Sequence, residues 1–321
     1  MCTYCGNSKF IEYDGGYRRI RHSSPQTIVN EINRAKSKQP HLSTITFHDD
    51  SFLALPFKQL EEFAKLYKKE VKIPFVIGGV IPNYVREDKI ALLVDAGMNR
   101  VRMGIQSGSE NILEFYKRPT KLHRIKEATE ILGKFRKYMI PPSYDIILEN
   151  PVEKKEDTIA TVDMIYEMPR PFTLNVYALR VIPNTLMAKD IEAKGLKVPP
   201  IDKNYYTDYR RTLGNILVFA LTFWKIPRWL FKILRKKVYP VQERQSSYPI
   251  LFWLTRMTYL TKRAFNHLRF MDFSLLPGKP GYILWKLGVI NFWQRFIVKQ
   301  YHLPKQEYKN LTETPENLKN I

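Results

Sequence analysis

The chain has 321 residues, and 52 Lys and Arg against 31 Asp and Glu give it a formal charge of +21. An apolar fraction of 44% excludes wholesale disorder, and a count of two cysteines excludes a disulfide-built secreted scaffold. Both cysteines lie in the opening stretch Met1-Cys2-Thr3-Tyr4-Cys5.

Pro25 opens a predicted helix that runs to about Lys38. Ser43–His48 alternates apolar and polar residues and reads as a strand. Apolar residues at 57, 60, 63, 64 and 67 have helical spacing, giving a helix over Phe57–Glu70. A strand over Ile73–Ile77 ends in Gly78-Gly79, read alone as a turn. A helix over Arg86–Ala96 stops at Gly97. A strand over Asn99–Ile105 is followed by helices at Glu110–Tyr116 and Leu122–Lys137. A strand over Ser143–Leu148, a helix over Lys155–Met168, a strand over Phe172–Val181 and a helix over Leu186–Ala193 complete the series. Repeated strand–helix units imply right-handed crossovers and a parallel sheet, either doubly wound or barrel-like. Ligands then belong at the C-terminal ends of the strands.

Those ends are polar. The first carries His48-Asp49-Asp50, where two carboxylates fit a cation or an amine, or a helix cap. The third carries Gln106-Ser107-Gly108-Ser109-Glu110, whose hydroxyls open a helix with a terminus suited to an anion, or merely cap it. Arg118 follows, then Thr120, read as a helix cap. Later ends carry Glu149-Asn150-Pro151 and Ile182-Pro183-Asn184-Thr185. The Cys2-x-x-Cys5 pair has three open readings: a zinc half-site, a redox pair or ligands of an iron–sulfur cluster. No second cysteine pair completes a zinc site, and no strand precedes the pair as a thioredoxin-like motif requires. A lone pair suits a cluster whose ligands lie close together.

These segments together resemble the radical S-adenosylmethionine superfamily over residues 1–200. Cys2, Tyr4 and Cys5 are similar to the last two cysteines and the aromatic of its C-x-x-x-C-x-aromatic-C motif. The first cysteine of that motif would lie four positions before Cys2, so a chain starting inside the first βα loop is expected. Ile45-Thr-Phe-His-Asp-Asp-Ser-Phe52 resembles a segment of the cobalamin-dependent branch, in the place of the Gly-Gly-Glu that holds the amino group of S-adenosylmethionine. Gly104-Ile-Gln-Ser-Gly-Ser-Glu110, with Arg118 and Thr120, resembles the segment G-x-Q-S-G-S-E…R…T. Asp145–Pro151, with Glu153 and Asp157, resembles the next segment, where many relatives have Gly-Pro-Gly-Glu-Thr. Pro183-Asn-Thr185 stands where Pro-Gly-Thr is common.

The resemblance implies an α/β fold, a partial TIM-like (β/α)6 barrel lacking its first strand. A 4Fe-4S cluster would be held by Cys2 and Cys5. S-adenosylmethionine would be bound by Tyr4, Asp49 or Asp50, Gly78, Gln106, Ser107, Arg118, Asn150 and Pro183. No side chain is assigned a catalytic role. The implied activity is reductive cleavage of S-adenosylmethionine to a 5′-deoxyadenosyl radical, in a cobalamin-dependent methyltransferase or a related enzyme modifying C–C or C–P bonds. Cobalamin would come through an upstream domain, and electrons from a donor such as ferredoxin or flavodoxin. The alternatives are an inactive fragment of such an enzyme and a basic helical module.

Composition shifts near residue 200, where a domain boundary is placed. Residues 201–321 hold 21 basic and 7 acidic side chains and all five tryptophans. Three or more amphipathic helices are expected over residues 201–304, one broken at Pro227, before a polar tail at 305–321. They fit a cap over the barrel mouth, a surface for an anionic membrane, or a wall for a lipid-like substrate. Nucleic acid has the charge but no recognisable module here. The longest apolar run, Ile216 to Trp224, falls short of the roughly 20 residues that a span needs. With no signal-peptide pattern, the cytoplasm is expected, extending to the inner face of the membrane.

Overall fold

A computed structural model describes residues 2–6, 10, 13, 14, 16, 21–39, 42–49, 52–118, 120–179, 181–196, 210–241, 243, 245–270, 272, 278–289 and 292. Asp50, the expected boundary near residue 200 and the polar tail lie outside the described residues.

The described elements begin with α1 (Pro25–Lys38), β1 (Ile45–His48), α2 (Phe57–Leu66) and β2 (Phe75–Val80). They continue with α3 (Glu87–Asp95), β3 (Met98–Gln106), α4 (Glu110–Phe115), α5 (Leu122–Lys134), β4 (Ser143–Glu149), α6 (Lys155–Glu167), β5 (Thr173–Ala178) and α7 (Leu186–Ala193). Four more helices follow: α8 (Leu213–Leu221), α9 (Arg228–Arg235), α10 (Pro249–Arg269) and α11 (Gly278–Lys286). The strands form one parallel sheet in the order β1-β2-β3-β4-β5. That is the five-stranded α/β sheet with a helical C-terminal region that the sequence implies.

Contacts divide the chain into two compact units. The first comprises His22–Gly104, Glu127–Ser143 and Thr261–Ile321. Its α1 starts where Ser24 accepts from the Thr27 amide and Pro25 takes the first turn. Phe47 of β1, Phe52, Phe63 and Tyr67 surround Phe75 of β2, with ring centroids 4.6–5.9 Å from it or from one another in the close pairs. The α2 helix does not simply run on to Glu70. From Tyr67 to Val71 it widens to a π turn, and Lys72 ends it at φ 57°. The wider turn seats the buried Tyr67 so that its hydroxyl donates to the Ile73 carbonyl at 2.9 Å. Gly78-Gly79 is not a turn after β2 but part of it. Gly79 at φ 76° absorbs a register shift between Ile77 and Val80, and the strand continues.

The second unit comprises Met1–Arg21, Ile105–Lys126 and Tyr144–Leu260. Ile112, Tyr116, Ile147, Leu179, Met187 and Ile191 form one buried cluster, with Tyr4 and Val152 packed against it. The helices α8 and α9 lie on α6. Phe231 of α9 stacks on Tyr166 of α6, ring centroids 3.9 Å apart, and the Tyr166 hydroxyl donates to the Ile226 carbonyl at 3.0 Å. The break expected at Pro227 is real: α8 ends at Leu221 and α9 begins at Arg228.

Candidate active site

In the second unit the cysteine turn is tied down by the residue between its thiols. The Thr3 amide donates to the Tyr116 carbonyl at 3.0 Å, and the Thr3 hydroxyl to the Phe115 carbonyl at 3.1 Å. The Met187 amide donates to the Thr3 carbonyl at 3.2 Å. Thr3 is fully buried, so these partners replace water for every polar group it has. Cys2 and Cys5 are half-buried on either side, and the Cys5 amide donates to the Cys2 carbonyl at 3.3 Å. Neither is in a disulfide.

Tyr4 packs edge-on against Tyr116 at 5.0 Å. Burial pushes the Tyr4 phenol well up, against the opposing pull of the Arg118 guanidinium. Burial likewise raises Tyr116, helped by the Glu153 carboxylate, while the amide of Asn150 donates to its oxygen at 2.9 Å. Both phenols therefore stay neutral.

Arg118 reaches Cys2 through the end of α4. Lys117 adopts φ 50°, and the Arg118 amide turns back to the Leu113 carbonyl at 2.8 Å. Its Nη1 then lies 3.5 Å from Cys2 Sγ. The sequence offered Arg118 as a carboxylate partner; the fold also sets it beside a thiol.

The segment after β3 divides in two. Gln106 is half-exposed with φ 75°, a conformation a non-glycine residue holds only at a cost of about 1–3 kcal/mol. Ser107 is fully buried, within 3.1 Å of the Thr161 hydroxyl, and accepts from the Ser109 amide at 3.1 Å. Its oxygen is engaged with α6 and the loop itself. Ser109 caps α4, as read, and its hydroxyl donates to Asp157 of α6. Gly108 fits because nothing larger does: a Cβ there would lie 2.7 Å from Ala160 O and from Thr161 Cα.

Asn150 is buried, its side chain spent on Tyr116 and on the Val152 amide at 2.9 Å. Pro183 and Asn184 are exposed on the turn before α7. Asn184 takes φ 66°, which explains how it stands where glycine is common. Thr185 caps α7.

Two of the buried oxygens in this unit bear on the site. Thr120 Oγ1 has no partner, so Thr120 does not act as the helix cap read from the sequence. Glu153 Oε1 has none either, and Glu153 Oε2 accepts only a long 3.3 Å bond from Thr158. Burial pushes the Glu153 carboxyl well above its usual range; Thr158 opposes this and Asp157 adds to it. The sequence pointed to neither Thr3 nor Tyr116, whose pairing spans more than a hundred residues and leaves no local signal.

In the first unit, Asp49 Oδ2 lies 3.8 Å from His22 Nδ1, an ion pair that needs a protonated imidazole. Its carbonyl starts the turn into Phe52. Gly78 is buried beside His48 on β1, and a Cβ there would lie 3.3 Å from His48 Nδ1.

The donor chemistry near Cys2 fits an iron–sulfur cluster in part. Two thiols, a guanidinium and neutral aromatic rings suit a thiolate-bound anionic group. The chain holds no third cysteine, and among the described residues no three His, Cys, Asp or Glu side chains converge as a metal site.

Three comparisons bear on this arrangement. The heme chaperone HemW of Bacillus subtilis (strain 168) is 22% identical over 208 residues, covering 62% of this chain and 52% of that protein. The fold is similar to that of OxsB, a cobalamin-dependent S-adenosylmethionine radical enzyme seen with aqua-cobalamin bound. The TM-score is 0.53 at 15% identity, over 97% of this chain and 51% of that one. It is also similar to coproporphyrinogen III oxidase, HemN, from Escherichia coli, a radical SAM enzyme, with TM-score 0.45 at 17% identity over 64% of this chain and 46% of that one. The chain thus spans about half the length of the relatives it matches. The family model for the radical SAM superfamily matches residues 1–165, just over half of the sequence. The chain therefore belongs to the radical SAM superfamily, whose members work with a 4Fe-4S cluster and S-adenosylmethionine.

Proposed function

We propose that this chain is the core of a cobalamin-dependent radical S-adenosylmethionine enzyme, a methyltransferase or a related enzyme modifying C–C or C–P bonds. The observation that carries the reading is Arg118 at 3.5 Å from Cys2 Sγ, beside a turn fixed through Thr3. Cys2 and Cys5 would hold the cluster. Bound there, it would supply one-electron reducing chemistry toward the sulfonium. The chain's own residues position and shield. Arg118 would meet the carboxylate of S-adenosylmethionine with two parallel N–H groups. Tyr4 and Tyr116, neutral and packed together, keep water from one side of the thiols. Gln106 would present its amide to the ribose and methionine parts.

The cobalamin assignment is supported by the segments Ile45–Phe52 and Gly104–Glu110. The fold likeness to OxsB, named as cobalamin-dependent, agrees with it. A ferredoxin or flavodoxin would deliver the electron, and the substrate would be a hydrophobic organic molecule.

The test is anaerobic reconstitution with iron and sulfide, read by electron paramagnetic resonance and by 5′-deoxyadenosine release. Two chains are compared: this one, and one extended to place a cysteine four positions before Cys2. The extended chain is expected to bind the cluster, release 5′-deoxyadenosine and lose both with Cys2→Ala. A cluster-loaded extended chain that leaves S-adenosylmethionine intact overturns the proposal.

A further inference from the structure

We infer that α9 and α10 form a docking surface for an anionic lipid bilayer, with the outward face of α10 inserted at the interface. A helix on a water-soluble surface turns its apolar stripe inward. Over Pro249–Leu260 of α10 an apolar stripe faces outward as well. Ile250, Trp253, Leu254, Met257 and Leu260 are linked by three- and four-residue steps, so they share one face, and all are exposed. Ile250 is 77% exposed and Trp253 61%. The packed face carries Phe252, Arg256 and Tyr259. Tyr259 is buried, donating to the Leu174 carbonyl at 2.9 Å, and Arg256 lies 4.3 Å above the Phe219 ring. The fold therefore packs Phe252 and Tyr259 of α10 against Phe219 and still leaves a second apolar stripe open.

Helix α9 of the same unit has the same character. On α9, Trp229 and Ile233 are exposed next to the exposed cations Arg228, Lys232 and Lys236. A groove of about 540 Å³ along α10 is lined by Ile250, Trp253 and Leu260, with Arg211 and Arg256 beside them. It offers an apolar slot next to two cations, which suits an acyl chain below an anionic headgroup.

Charge decides the occupant. Between positions 210 and 289 the sequence holds fifteen Lys and Arg and only two acids, Glu243 and Asp272, and Asp272 is buried. A second copy of this face would meet like charge. Nucleic acid would leave the tryptophans and leucines in water. An anionic bilayer satisfies both, because aromatic side chains favour the headgroup level and cations its surface. Among the described helices none is long and apolar enough to cross a membrane, so α10 would lie along the surface, over about 30 Å. The inference is independent of the cluster and of S-adenosylmethionine.

The test is flotation of the full chain with vesicles of phosphatidylcholine alone, or with roughly 30% phosphatidylglycerol, at ~50 and ~500 mM salt. Retention on the anionic vesicles at low salt is expected, falling at least tenfold at high salt. Lys232→Gln and Lys236→Gln should each weaken it about fivefold. Leu254→Glu with Met257→Glu should weaken it more than tenfold, with the melting temperature kept because both sites face solvent. Equal retention on neutral and anionic vesicles, or no retention on either, overturns the inference. So does a dimer in sedimentation velocity that Met257→Glu disperses, which would assign the face to a second copy. The salt and lipid comparisons on the unaltered chain decide the matter even if a variant folds poorly.

Discussion

Gly108→Ala isolates what fixes the loop after β3. The added Cβ would stand 2.7 Å from Ala160 O and Thr161 Cα and 3.0 Å from Met164 Cβ. Two of these are backbone atoms of α6, so no rotamer change relieves them. Ordinary contact, about 3.5 Å, requires loop and helix to part by roughly 0.8 Å. Their hydrogen bonds resist that. The Gly108 amide donates to Thr161 Oγ1 at 2.9 Å, the Ser107 and Thr161 hydroxyls lie 3.1 Å apart, and Ser109 donates to Asp157. All are buried, and overpacking plus one weakened buried bond costs about 3 kcal/mol. For a unit of this size that lowers the melting temperature by roughly 6–12 °C. Gly6→Ala is the control, since nothing lies within 4 Å of its Cβ position. Calorimetry on the two variants checks the argument. A Gly108→Ala chain that melts with Gly6→Ala would refute it, by showing that loop and helix separate freely.

Three further outcomes are expected. Phe231→Ala should cost ~3–5 kcal/mol in urea unfolding, because the ring is buried in a stack on Tyr166, whereas Arg235→Ala should cost less than ~1 kcal/mol. The Arg235–Asp163 pair it breaks is more than a third exposed at both ends, and equal losses would contradict the ordering. Glu153 has a native carboxyl raised above its unfolded value by burial. The native state therefore holds the proton longer, and stability falls as pH rises from the unfolded value through the native one. Glu153→Gln cannot lose a proton, so its advantage over the parent should grow as pH rises above the usual carboxylate range; a gap that shrinks in urea melts refutes this. In the reconstituted, extended chain, Arg118→Met should raise the KM for S-adenosylmethionine at least tenfold, and Arg118→Lys should recover part of it, since one point charge replaces a two-pronged donor. An unchanged KM removes Arg118 from the carboxylate.

Local chemistry made most of the framework legible. Ser24-Pro25 starts α1, Thr185 starts α7 and Pro227 separates α8 from α9, because each acts within four residues of itself. Where the reading failed, a distant partner decided. The turn read into Gly78-Gly79 is a bulge because β3 pairs with β2 beyond it, at Val80↔Met103. The plain helix read to Glu70 widens because the Tyr67 hydroxyl must reach Ile73 O. Thr120 looked like a cap, yet its hydroxyl is buried with nothing to accept or donate. For α10 the amphipathic pattern was plain in the sequence, but periodicity reports that two faces differ, not which one the fold turns inward.

The cysteine pair shows the same limit in sharper form. Cys2-x-x-Cys5 fits three chemistries from spacing alone, and spacing does not change between them. The difference lies in what surrounds the thiols, and here that is supplied by residues far along the chain. Thr3 joins the end of α4 to the start of α7, using its amide, carbonyl and hydroxyl at once. Because α4 also delivers Arg118 through its left-handed exit at Lys117, the contact that holds the thiols also sets the distance of the cation from them. A guanidinium 3.5 Å from Cys2 Sγ offsets the negative charge of a thiolate-bound group. The position of Arg118 therefore adds charge complementarity to what the spacing of the two cysteines carries.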